Sequence, residues 1–209
     1  MRFRRPPLYP LSYKGSRFMM LIYYTTDMLG IILYFIAIFA ELIFAIGFSA
    51  LTISFIYSSL KGSPYVPTRQ KEINIILKTA NLKSKQIFIE LGCGDGRVCR
   101  RAASLYGVKT IGVDVNPLLI WYARFLAKIK SVTNTDFRTQ NIFDTNLSKA
   151  DIVYLFLMPK LIGLIVPKLE KELKKQATVI SHGFKIVEWQ DRLVKKIDRR
   201  PFPTYFYRK

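Results

Sequence analysis

Three acids and three glycines stand close enough in this sequence to form one site. Glu90 opens the run Glu90-Leu91-Gly92-Cys93-Gly94-Asp95-Gly96, and Asp114 follows Gly94 by twenty residues. Glycine at 92, 94 and 96 lets the main chain turn sharply and lets a ligand lie against bare backbone. Asp114 ends the run Thr110-Ile-Gly-Val. A carboxylate there can accept hydrogen bonds from both hydroxyls of a ribose. The spacing also separates this loop from two phosphate-binding loops. In G-x-G-x-x-G the third glycine lies inside the following helix, and here Arg97 holds that place. In G-x-x-x-x-G-K-[ST] a Lys-Ser/Thr pair is required, and none follows. Glu90 and Asp95 oppose a pyrophosphate and suit a cationic ligand that carries an amino acid. Cys93 reads as a small residue filling the loop.

The surrounding sequence supplies the elements that would position these groups. Ile87 to Leu91 is a short apolar run of the kind a buried parallel strand shows. Val98, Ala102, Leu105 and Tyr106 then fall on one helical face. Strand, glycine loop and helix together open a nucleotide-binding α/β unit. Upstream, Thr68 is a candidate cap for a helix whose apolar face is Ile73, Ile76, Leu77 and Ala80. Downstream, Asn116-Pro117 signals a helix start, with Leu118, Leu119, Tyr122 and Leu126 as its expected buried face. Further strands are expected near 136–139, 152–156, 178–181, 193–197 and 204–207, with a helix over 161–175. The fold class is α/β: a Rossmann-like sheet of seven strands with the last one antiparallel.

Glu90-x-Gly-x-Gly-x-Gly96 resembles motif I of the class I S-adenosylmethionine (SAM)-dependent methyltransferases, and Gly112-Val-Asp-Val-Asn-Pro117 resembles their second-strand acidic motif. The resemblance implies SAM as cofactor. It places the cofactor on Glu90, Gly92, Cys93, Gly94, Asp95, Gly96, Asp114 and Val115. It gives Asn141 the adenine amino group and sets Ile142 and Phe143 beside the ring, with Asp144 as a second acceptor. From Pro64 to about Trp189 the chain resembles the mitochondrial protein-lysine methyltransferases of the ATP synthase c-subunit and the adenine nucleotide translocase. The motifs are Tyr65-Val-Pro67, Gly94-Asp-Gly-Arg97, Val115-Asn-Pro-Leu118, Trp121-Tyr-x-Arg124, Pro159, and Phe184 with Trp189. The family usually has Glu at the place of Asp114 and Asp at the place of Asn141. Tyr65, Pro159, His182 and Trp189 are the candidates for the catalytic side, and no general base stands out.

Net charge is +19 over 209 residues, which points to nucleic acid, anionic lipid or an acidic partner. After the fourth strand the chain reads Leu157-Met-Pro159 rather than [DNS]-P-P-[YFW], which argues against a nucleic-acid base as methyl acceptor. Two cysteines and one histidine give neither a disulfide framework nor a zinc pattern. No metal is expected.

The amino-terminal third is of another kind. Residues 1–27 read as a basic, irregular juxtamembrane arm broken by Pro6, Pro7 and Pro10. Residues 28–60 hold one charge, Glu41, and read as one transmembrane helix with Tyr23, Tyr24 and Tyr57 as interfacial anchors. Residues 61–67 read as a linker, and 68–209 as the methyltransferase domain. The expected partners are the lipid bilayer and a membrane-protein substrate. The catalytic domain is expected to face the cytoplasm or, in a mitochondrion, the matrix, because SAM is kept there. A methyltransferase of lipids or quinones, and a non-catalytic SAM-binding protein at the membrane, remain open alternatives.

Overall fold

The computed structural model describes residues 13–60 and 65–209. The chain divides into two compact units, Met1–Thr52 and Ile53–Lys209. Helix α1 spans Tyr13–Leu60, 48 residues or about 72 Å. Within it Met28–Ser54 is long and apolar enough to cross a membrane. The helix starts earlier than the irregular arm expected over 1–27 allows. The last proline before the apolar run is Pro10; beyond it no residue removes a backbone donor. Residues 1–12, 61–64 and the side chains of Tyr23, Tyr24 and Tyr57 lie outside the described residues.

The second unit is built on a seven-stranded sheet. Its strands are β1 (Ile87–Leu91), β2 (Lys109–Asp114), β3 (Thr135–Thr139), β4 (Ile152–Leu155), β5 (Thr178–His182), β6 (Leu193–Ile197) and β7 (Thr204–Arg208). Their order is β3-β2-β1-β4-β5-β7-β6. β1 to β5 run parallel, and β7 is antiparallel to both β5 and β6. The helices are α2 (Gln70–Ala80), α3 (Arg97–Tyr106), α4 (Pro117–Ile129) and α5 (Pro159–Glu172). Strand alternation sends alternate residues to opposite faces. Ile89, Leu91, Val153 and Leu155 join the core with α5, while Phe88, Ile152, Tyr154 and Ile180 join the core with α2, α3 and α4.

Three local expectations need correction. Thr68 does not cap α2: Arg69 holds the cap position without a side-chain bond, and Thr68 is itself buried. Leu105 of α3 is exposed, and the packed face is Val98, Cys99, Ala102 and Ala103. In α4 the buried residues are Ile120, Ala123 and Ala127, while Tyr122 is exposed. The reason is the Phe137 ring beneath α4. A Cβ on Gly96 would lie 2.4 Å from that ring and 3.1 Å from the Ala123 Cβ. Phe137 takes the space, so the helix presents small residues inward and turns its bulky ones out.

Gly112 meets the same ring. A Cβ there would come within 2.8 Å of Phe137 and 2.9 Å of the Cys93 sulfur. Gly112→Ala therefore overpacks the core, and about 1–3 kcal/mol of stability should be lost. A lower urea midpoint at unchanged slope would show it.

Candidate functional site

The loop after β1 folds as it does because three residues sit at positive φ: Gly92 at 78°, Gly94 at 52° and Gly96 at 73°. A side chain at any of them would be strained. Gly92 N and Cys93 N both donate to the Val113 carbonyl at 2.9 Å, pinning the loop to the end of β2. Asp114 completes the join. Its Oδ2 accepts from Gly94 N and its Oδ1 from Asn116 N, each at 2.9 Å. Burial nonetheless pushes its pKa up. Asn116 in turn caps α4 through bonds from Leu118 N and Leu119 N.

Glu90 lies in β1 beneath the loop, 4 % exposed. Its Oε2 accepts from Cys99 N in the first turn of α3 at 3.1 Å. Burial outweighs that bond and raises the carboxyl to about 8, so it is mostly protonated at neutral pH. The Cys93 and Cys99 thiols are also pushed up by burial and stay protonated. The loop's other acid, Asp95, is paired. Arg97 Nε meets Oδ1 at 3.0 Å and Nη2 meets Oδ2 at 2.8 Å, a two-pronged bridge. Arg97 also donates to the Tyr65 hydroxyl at 3.1 Å and to the Thr68 carbonyl at 3.3 Å. Tyr65 thus lies directly over the loop, and a Cβ on Gly94 would be 2.7 Å from its ring.

These groups share one cavity. Its acidic end is Glu90, Asp95 and Asp114, with Gly92, Cys93 and Gly94 as its floor and Tyr65 beside them. Val115, Leu119, Asn141, Ile142 and Phe143 also line it. Asn141 Oδ1 accepts from Phe143 N at 3.2 Å and has a second lone pair to offer. Five of the expected residues lie outside the lining. Asp144 ends the short 3-10 turn Ile142–Asp144 and does not reach it. Gly96 is the last loop residue before α3, and Pro159 is the exposed first residue of α5. Trp189 is fully buried in the α5 core, its indole N–H donating to Glu170 at 2.6 Å. It is core rather than a channel wall. His182 stands behind the site, its ring 4.6 Å from Phe156 and 6.4 Å from Tyr154. Burial lowers its pKa to about 4, so it is neutral under ordinary conditions.

Sequence reasoning missed Arg97, Tyr154, Leu157 and Leu161, all of which line the cavity. Arg97 was visible as the residue that breaks a dinucleotide fingerprint and as the end of the Gly94-Asp-Gly-Arg97 motif, but nothing in the sequence set it against the cavity. Tyr154 was legible in principle: it pairs with Glu90 in the β1–β4 register and so shares its face. Its hydroxyl is buried, with Thr68 beside it.

A family model described as ANTKMT methyltransferase domain matches residues 90–192. A protein-lysine N-methyltransferase of Saccharolobus islandicus is 36 % identical over 137 residues, covering 65 % of this chain and 85 % of the relative. The chain belongs to the protein-lysine N-methyltransferase family. The lysine N-methyltransferase of the ATP synthase c-subunit from Xenopus laevis is 32 % identical over 127 residues, 60 % of this chain. The chain spans 55 % of that relative's length, about half. Among solved structures, an RNA methyltransferase of Salinibacter ruber bound to S-adenosyl-L-homocysteine superposes with a TM-score of 0.66 at 29 % identity. The match covers 68 % of this chain and 93 % of that one. The methyltransferase is thus a SAM-dependent enzyme of class I fold.

The cavity fits that cofactor on the chemistry of its lining. An acidic end over bare backbone suits a sulfonium with an amino group, Asp114 suits a diol, and an apolar end with one amide suits a purine. When bound, SAM supplies an activated methyl group for in-line displacement. The chain's own part is to align the acceptor and keep water out. Leu157 and Leu161 give the methyltransferase an apolar wall, and a lysine held against it is pushed toward its neutral, nucleophilic form.

The two shifted buried groups predict a pH signature for the cofactor-free protein. Glu90, raised from 4.5 to about 8, binds its proton more tightly when folded. Its contribution is full below pH 4.5 and is lost as pH rises to 8. His182, lowered from 6.5 to about 4, has the opposite sign: its contribution is full above 6.5 and lost on acidification toward 4. Between 4.5 and 6.5 these two contributions oppose each other. From 6.5 to 8 only Glu90 acts, and stability should fall by about 2 kcal/mol. Melting temperatures across that range should decline in the native chain and stay level in Glu90→Gln.

Proposed function

We propose that the methyltransferase is anchored by a single span within Met28–Ser54 and methylates a lysine of a membrane protein near the headgroups. The observation that carries this reading is the shortness of one connection. α1 ends at Leu60, and Tyr65 already lines the cavity. Five residue steps reach at most about 18 Å. An anchor in the bilayer therefore holds the site near its surface, and confinement raises the effective concentration of any substrate in the same membrane. Relatives are named for two such substrates, the ATP synthase c-subunit and the adenine nucleotide translocase. On this reading residues 68–209 are the catalytic domain, and it faces the compartment that holds SAM, the cytoplasm or a mitochondrial matrix.

Within the cavity Glu90, Asp95 and the glycine loop would hold the methionine part of the cofactor. Asp114 would hold the ribose, and Asn141, Ile142 and Phe143 the adenine. Calorimetry tests these roles: Asp114→Ala should weaken SAM binding by about 1.5–3 kcal/mol, the range for a hydrogen bond to a charged group. Equal affinity would remove the ribose assignment.

The substrate is tested in native membranes with methyl-labelled SAM. The full chain should label a protein band on lysine. A chain lacking residues 1–60 should keep its SAM affinity and lose most of that labelling. Label in the lipid extract, on nucleic acid or on a soluble protein would refute the substrate reading, as would undiminished labelling by the shortened chain.

A further inference from the structure

The outward turn of α4 leaves a continuous apolar stripe. Trp121, Phe125 and Ile129 recur at every fourth position and are 60 %, 46 % and 62 % exposed. The Trp121 and Phe125 rings are stacked, with centroids 5.6 Å apart and planes 6° apart. Tyr122 widens the stripe on one side. A soluble surface rarely carries so much aromatic area on one helix without a use for it. None of these four side chains lines the cavity.

The charge around the stripe says what it fits. From Val115 to Thr135 there is no acid, while Arg124, Lys128 and Lys130 are all exposed. Arg124 is partly engaged, donating to the Phe137 carbonyl at 2.9 and 2.6 Å. Lys128 falls on the same side of the helix as Trp121, two turns (about 10 Å) further along, by the 100° step and 1.5 Å rise of an α-helix. Tryptophan and tyrosine between lysines are the side chains that settle at a bilayer interface, rings at headgroup depth and ammonium groups among anionic lipids. A peptide partner of acidic character would find the same charges, but it would not call for an exposed indole stacked on phenylalanine and continued by isoleucine along the helix.

We propose that the Trp121-Phe125-Ile129 face of α4 rests on an anionic bilayer surface and orients the catalytic unit there. This deepens the membrane-anchor reading and depends on it. The tether alone fixes distance; a second, lateral contact would also fix which way the cavity opens.

The protein has two tryptophans, and Trp189 is fully buried, so Trp121 reports this face by itself. The full chain is incorporated into vesicles of phosphatidylglycerol and chain-brominated phosphatidylcholine, and its fluorescence is followed. Bromine on the acyl chains near the headgroups should quench the Trp121 share of the emission and leave the Trp189 share. Trp121→Phe should abolish the quenched share. Lys128→Glu with Lys130→Glu should restore most of it to unquenched brightness, with the Trp189 emission as the sign that the fold is kept. An unquenched Trp121 in protein that resists alkaline carbonate would overturn the inference and leave the anchor standing; chemical cross-linking between copies would then name a second protomer as the occupant. Protein stripped from the vesicles by carbonate would overturn the anchor, and the inference with it.

Discussion

The hydrogen bond from Gly94 N to Asp114 is the contact on which the site depends. It links the tip of the β1 loop to the end of β2 across 2.9 Å, and Gly94 makes it at a positive φ of 52°, a conformation that favours glycine. Everything that faces the cavity follows from it. The loop's last glycine starts α3, whose first turn offers Cys99 N to Glu90. The other oxygen of Asp114 takes Asn116 N, and Asn116 caps α4. One carboxylate thus fixes the starts of two helices and the shape of the loop between two strands. A carboxylate offers about four lone-pair sites, so it can do this and still meet a ligand.

The acids of the cavity are not equivalent, although they look so in sequence. Asp95 is neutralised by Arg97. Glu90 is mostly protonated through burial. Asp114 accepts from the Gly94 and Asn116 backbone, and burial pushes its pKa up. A cationic cofactor would reverse the effect of burial on Glu90, since a nearby positive charge favours the carboxylate. The site therefore holds its negative charge in reserve. Packing three bare carboxylates together without a cation would cost far more than keeping one of them protonated.

The fold was legible where a single physical signal decided it. The strand positions follow from apolar runs between helical or turn segments, and Asn116-Pro117 marked a helix start because a capping amide and a fixed φ act locally. What was not legible depended on packing at a distance. The buried face of α4 cannot be read from side-chain size. Phe137, far beyond Trp121 in sequence, already fills the space that large α4 residues would need. Trp189 departs from expectation for the same kind of reason: nothing near it in sequence shows that Glu170 accepts its indole proton. Tyr65 and Arg97 could be named singly, but their bond joins residues 32 apart and exists only in the folded chain.

A net charge of +19 and a cationic substrate look ill-matched, and the distribution of charge resolves the conflict. The acids that matter are collected at one cavity, where a low-dielectric wall of Leu157, Leu161 and Phe156 focuses their field. Apart from Arg97 at the cavity and the buried Arg100, most of the described basic residues lie on the outside, where salt screens them beyond about 8 Å. In free solution that outer charge would still slow the approach of a lysine-rich protein. On the proposed membrane reading, anionic headgroups would neutralise it, and the same lysines that repel a soluble substrate would hold the enzyme in place. A basic shell around an acidic site is thus a poor design for a dissolved enzyme acting on dissolved lysines. It becomes a consistent one when enzyme and substrate share a negatively charged surface.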